Sequence, residues 1–298
     1  MQDFWWVFAL LCSIVSAGQV LYNQVFKFDS LIVTIYRGFG VALLLLPFAF
    51  MLKPISNPYF YILCIIQGTV IGYFDYHIFE ASRRFGAGIT GLAQPLTLMI
   101  TFVAWLIISP ETATLLFENK IKMSIIVLSL TSISACIYFL QNNKDNKKAL
   151  KYLLLPMICV VLIDVVGKKV MSLGADDVVS AIYYYAFITA IFAGLANVII
   201  FIKQKRNFKE IVTKNNLIKI GVPIAIIVIS TNILKMYSVF LAFNPAYVGA
   251  LLYSSPIWIM IFNKYFAKKL KSQKYISPNK WIVITIVISA ILLVVASK

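Results

Sequence analysis

The chain has 298 residues, of which 61% are apolar and only 13% charged, and it carries a formal net charge of +16 at pH 7. This balance excludes an ordinary soluble domain, in which about a quarter of residues are charged, and with a mean hydropathy of +0.89 it points to an integral membrane protein. The positive charge does not read as a nucleic-acid surface, because the lysines fall in short joints between apolar segments rather than in one patch.

Hydropathy predicts ten helices, at residues 4–24, 31–52, 60–81, 87–108, 121–140, 152–172, 178–202, 217–241, 246–266 and 280–297. Each is close to the ~20 residues needed to cross about 30 Å of hydrocarbon. Breakers mark the joints: KPISNP after the second, ISPE after the fourth, NNKDNKK after the fifth, LGADD after the sixth and FNPA before the ninth.

The first segment, MQDFWWVFALLCSIVSAG, has neither a basic n-region nor a small-residue cleavage site, so it reads as a retained span. Trp5 and Trp6 are expected as interface anchors. Ser16, Gln19 and Asn23 share one helical face, the face expected to turn toward a cavity.

The second span carries Arg37, and the third carries GYFDYHIFEAS at residues 72–82, with Asp75, His77 and Glu80 inside an apolar run. Ionisable groups in lipid are costly and mark pathways or pairs. Arg37 and Asp75 each lie about six residues, or about 9 Å, from the same side of the predicted spans, so they are expected to pair. As a bare clamp between helices, such a pair needs no substrate. Glu80 precedes Arg84 by one turn near the helix end, where an ion pair at headgroup level explains it. His77, the one histidine, titrates near neutral pH and is the weaker proton-relay choice beside Asp75; a packing role explains it equally.

In the later spans Asp164 precedes Lys168 by one turn, and Lys235 lies at a similar depth, giving a second charged cluster toward the opposite mouth. The two clusters are expected to form alternating gates around a midplane site. Lys168 and Lys169 can both snorkel to the interface. Gln94 and Tyr253, near Pro95 and Pro256, together with Asn232 and Trp258, complete the expected lining. Interhelical hydrogen bonding accounts for each amide as well. The triple tyrosine at 183–185 points in three directions, so at most one or two rings face a pore. Cys12, Cys64, Cys136 and Cys159 all lie in apolar spans with no ligand spacing, and neither a disulfide nor a metal nor any cofactor is expected.

Two stretches repeat. FKFDSLIVTIY (26–36) aligns with LGADDVVSAIY (173–183), and GITGLAQP (88–95) with GALLYSSP (249–256). The loop KQKRNFKEIVTKNNLIK is longer than its counterpart KPISNPYF and absorbs the difference in offset. Five spans per half makes the second copy inverted, as in many secondary transporters. The expected architecture is all-α, ten transmembrane helices as two inverted five-helix repeats, 1–146 and 147–298, around a central cavity.

These residues resemble the drug/metabolite transporter superfamily, of the EamA type. The resemblance is carried by TIYRGFGVALLLLP in the second span, by the hairpin FEASRRFGAGITGLAQPLTLMITF, and by VFLAFNPAYVGALLYSSPIWIMIF in the second half. It implies a cavity lined mainly by spans 1, 3, 4, 6, 8 and 9, and cytoplasmic termini. The lysine distribution opposes the latter: 19 of the 27 basic residues sit in odd-numbered loops, which places both termini outside. Inverted repeats insert either way with little penalty, and both orientations stand at this point.

The leading functional reading is a secondary transporter in a bacterial cytoplasmic membrane, moving a small metabolite such as an amino acid or S-adenosylmethionine by alternating access, with gradient coupling. The partners are then the metabolite and the lipid bilayer, with no nucleic acid, as monomer or homodimer. Walker, GxSxG, HExxH and CxxC motifs are absent. An intramembrane enzyme using Asp75 and His77 is the alternative, though side chains two apart on a helix diverge by about 200°. A non-transporting scaffold is the third reading.

Overall fold

A computed structural model describes residues 4–26, 29–85, 87–141, 146–207, 209, 211, 217–255, 257–259, 261–262 and 280–297. Within these, the side chains of 20, 23–26, 82–85, 87–96, 137–141, 146–150, 217, 219 and 280 are not described. The described residues are helical and joint segments, with no strand among them. The helices are α1 (Trp5–Phe26), α2 (Ser30–Ala49), α3 (Pro58–Phe85), α4 (Ala87–Ile108), α5 (Pro110–Glu118), α6 (Lys120–Gln141), α7 (Asn146–Leu173), α8 (Val178–Lys203), α9 (Val222–Leu241), α10 (Pro245–Leu252) and α11 (Lys280–Ala296).

Local chemistry sets these boundaries. The Asp29 carboxylate accepts from the Leu31 and Ile32 N–H groups to start α2, and Asp177 accepts from Ser180 N to start α8. Asn244 caps α10, with Pro245 in the first turn where no N–H is needed. Among the described residues the predicted segments fall largely on helix, while residues 256, 260 and 263–266 of the ninth lie outside the described residues, and α5 was not expected. Pro110 breaks the path after α4, and the chain turns by 107° into this short helix.

Among the described residues four helices are long and apolar enough to cross a membrane: Ser30–Ala49, Pro58–Ala81, Ala175–Lys203 and Val222–Leu241. The bent pair Thr97–Ile108 with Pro110–Glu118 makes a fifth if it is one span. Large side chains such as Leu43, Ile62, Ile199, Ile226 and Ile291 face outward on these helices and on α11, as a surface in contact with lipid requires.

The packing that positions the site centres on α8, which lies against α2 and α3. Glycines let the backbones touch. A Cβ on Gly38 would lie 2.5 Å from the Gly194 Cα, one on Gly68 would lie 2.7 Å from the Thr189 carbonyl, and one on Gly72 would lie 2.6 Å from the Ala193 carbonyl. Elsewhere α1 packs on α9 and α10, α7 on α3 and α4, α2 on α9, and α6 on α11.

Trp5 corrects one expectation. It is 3% exposed rather than at an interface, and its Nε1 donates to Ser297 Oγ at 3.2 Å, tying α1 to the end of α11. An indole N–H with a hydroxyl in reach can be buried without penalty.

Candidate functional site

The helices enclose a cavity of about 260 Å³. It is lined from α1 by Cys12, Ser16 and Gln19, from α2 by Arg37, from α3 by Asp75, from α7 by Asp164, from α8 by Tyr185 and from α9 by Asn232 and Lys235, with Tyr253 after α10. Eight of the residues expected from the sequence to line a cavity therefore meet here: Ser16, Gln19, Arg37, Asp75, Asp164, Asn232, Lys235 and Tyr253. The walls include α2 and α8, which the family resemblance did not imply.

Both expected ion pairs form. Arg37 Nη1 donates to Asp75 Oδ1 at 2.9 Å, and Lys235 Nζ to Asp164 Oδ1 at 2.8 Å. Both pairs border the same cavity. Lys235 also lies close enough to act electrostatically on Asp75. With 28 residues, α3 extends to Phe85, so Asp75 lies about 15 Å from that helix end. The Arg37 side chain reaches up from the preceding helix to meet it.

Tyr185 enters the site from the triple tyrosine. Gln67 Nε2 donates to the Tyr185 hydroxyl at 2.9 Å and to the Ile163 carbonyl at 2.7 Å, which fixes one cavity wall. Tyr184 instead donates to the carbonyls of Ala49 and Leu52. Gln67 was missed by sequence reasoning, although an amide in an otherwise apolar run was the available signal; it is 2% exposed. In contrast, Gln19 and Asn232 line the cavity without a side-chain hydrogen bond to any described residue.

Other expected site residues lie elsewhere. His77 does not line the cavity; its Nδ1 is 2.9 Å from the Tyr152 hydroxyl, and its ring packs against Tyr73, Tyr76 and Tyr152. Trp258 Nε1 donates to Ser13 Oγ at 2.9 Å, a tie from the segment after α10 to α1. The side chains of Asn23 and Gln94 lie outside the described residues, as does that of Arg84.

Two charged residues contradict their expected exposure. Glu80 is 4% exposed rather than turned toward water, and the Arg84 side chain expected to pair with it lies outside the described residues. Lys168 does not snorkel: its Nζ donates to the carbonyls of Val239 and Phe240, both at 2.8 Å. These are orphan acceptors at the C-terminus of α9, where a cation is favoured.

Among the described residues the protein is helical, with four or five helices of membrane-spanning length, and its small cavity is bordered by charged, polar and apolar side chains. No protein-family model matches the chain, and no curated protein matches it.

Proposed function

We propose that the chain is a multi-pass membrane transporter that carries a small organic solute through this cavity by alternating access. The observation that carries the reading is the cavity itself: two ion pairs and two amides without a side-chain hydrogen bond among the described residues, walled by helices whose outer faces are apolar. Charge inside apolar helices is kept where it serves a pathway. A volume of 260 Å³ is below the roughly 300–1,000 Å³ of drug-sized pockets and suits one small metabolite.

The proposed architecture has ten spans in two inverted halves. Exchanging α1 with α7, α2 with α8, α3 with α9 and α4 with α10 turns the contact of α1 with α9 into that of α7 with α3. The same exchange turns α1 with α10 into α7 with α4, and α2 with α9 into α8 with α3, while α2 with α8 maps onto itself. An aspartate caps each of α2 and α8, Asp29 and Asp177, although the repeat alignment pairs Asp29 with the neighbouring Asp176. This is the packing expected of a duplicated, pseudo-two-fold unit, and it supports the EamA-type resemblance. The proposed location is a bacterial cytoplasmic membrane.

The enzyme alternative loses its geometric basis, since His77 is held by Tyr152 away from the cavity that Asp75 borders. The test is uptake by the purified chain in proteoliposomes over metabolite pools, with and without a pH gradient. Accumulation above protein-free vesicles is expected; its absence across all pools refutes transport.

A further inference from the structure

Within each ion pair, burial is unequal. The side chains of Asp75 and Asp164 are 5% and 7% exposed, whereas those of Arg37 and Lys235 are each 25% exposed. All four border the cavity, and in each pair the cation is the more exposed partner and the carboxylate the more buried. The donor inventory agrees. Arg37 uses one N–H of its five on Asp75, and Lys235 one of its three on Asp164. Several charged donors are left at the lumen, beside the amides of Gln19 and Asn232.

We infer that the cavity reads the anionic end of its solute: a small carboxylate-bearing molecule bound by Arg37 and Lys235, an inference that rests on the cavity being the solute site of the proposed transporter. The buried aspartates hold the two cations in place, as a carboxylate holds a guanidinium in one orientation. A lone amine is disfavoured here, because in each pair the cation is the more accessible partner and the carboxylate is almost fully buried and already engaged. Composition alone suggested otherwise, since two aspartates among aromatic residues equally suit a cationic solute. The relative burial within each pair is what turns the polarity round.

The test is binding to the full-length protein in nanodiscs, read as the shift in thermal unfolding with ligand concentration. The probes are the proteinogenic amino acids and short mono- and dicarboxylates, each beside its carboxamide and its decarboxylated amine. At least one carboxylate is expected to stabilise saturably, with its carboxamide and amine bound about ten- to a hundredfold more weakly, the worth of a charge-assisted hydrogen bond. An amine or carboxamide that binds as tightly as its carboxylate overturns the inference, and so does a panel in which no carboxylate binds. The variant R37Q/D75N removes one pair without stranding a charge and is expected to lose the discrimination; unchanged discrimination in a folded variant excludes Arg37 as the reader. Uptake assays separate the two readings: carboxylate binding without uptake overturns transport alone, and uptake indifferent to the carboxylate overturns this inference alone.

Discussion

Replacing Arg37 by leucine strands the Asp75 carboxylate, which is 5% exposed and 2.9 Å from the guanidinium in the intact protein. Two unit charges about 4 Å apart attract by about 4 kcal/mol at an effective dielectric of 20. Because Arg37 keeps a quarter of its surface exposed, solvent screening reduces this, and about 3 kcal/mol is expected, at the low end of the range for breaking a buried pair. The variant R37L/D75L removes both charges and is expected to lose less than about 1 kcal/mol, since an apolar pair of similar volume replaces the ions. Equilibrium unfolding of wild type, both single variants and the double variant in SDS–detergent mixtures gives the coupling directly. A coupling of at least about 2 kcal/mol is predicted. Additivity of the two single changes within about 0.5 kcal/mol, the margin for independent sites, refutes the argument that these charges hold one another.

Three further outcomes follow from the packing and the hydrogen bonds. Gly38→Ala puts a methyl 2.5 Å from the backbone of Gly194 and is expected to destabilise by about 2 kcal/mol or more, whereas Gly18→Ala, with nothing within 4 Å, is neutral or slightly stabilising through helix propensity. Thermal unfolding of the two variants side by side checks this. Lys168→Met removes two charge-assisted bonds to the end of α9, and the expected result is a loss of about 2–3 kcal/mol with faster amide hydrogen exchange confined to residues 239–246. His77→Gln leaves the cavity lining untouched, so the pH profile of uptake is expected to be unchanged; a shifted profile returns His77 to the pathway.

The helices were legible in the sequence because apolar runs separated by proline, glycine and lysine joints leave little choice of boundary. α5 was not, since PETATLLFE reads as the end of one joint, and only the chain's bend at Pro110 makes it a separate element. The ion pairs were legible from opposite charges at equal depth on neighbouring helices. Their meeting at one cavity was not, because sequence gives the depth of each charge along its own helix but not which neighbouring helices its face meets. Lys168 and Glu80 failed for a common reason: near a helix end, sequence offers water as the partner, and the actual partner of Lys168 is backbone on another helix. Tyr185 was one of three adjacent rings, and only the packing of α8 against α2 and α3 selects it.

The central claim is passage through the cavity, and filling it tests that most directly. Asn232 borders the lumen and makes no side-chain hydrogen bond to the described residues, so Asn232→Trp fills space without breaking a contact. Uptake of the solute identified in the proteoliposome screen is to be compared between wild type and this variant at equal reconstitution and equal unfolding temperature. The account predicts that the wild type accumulates solute and the filled variant does not; equal uptake by both contradicts it.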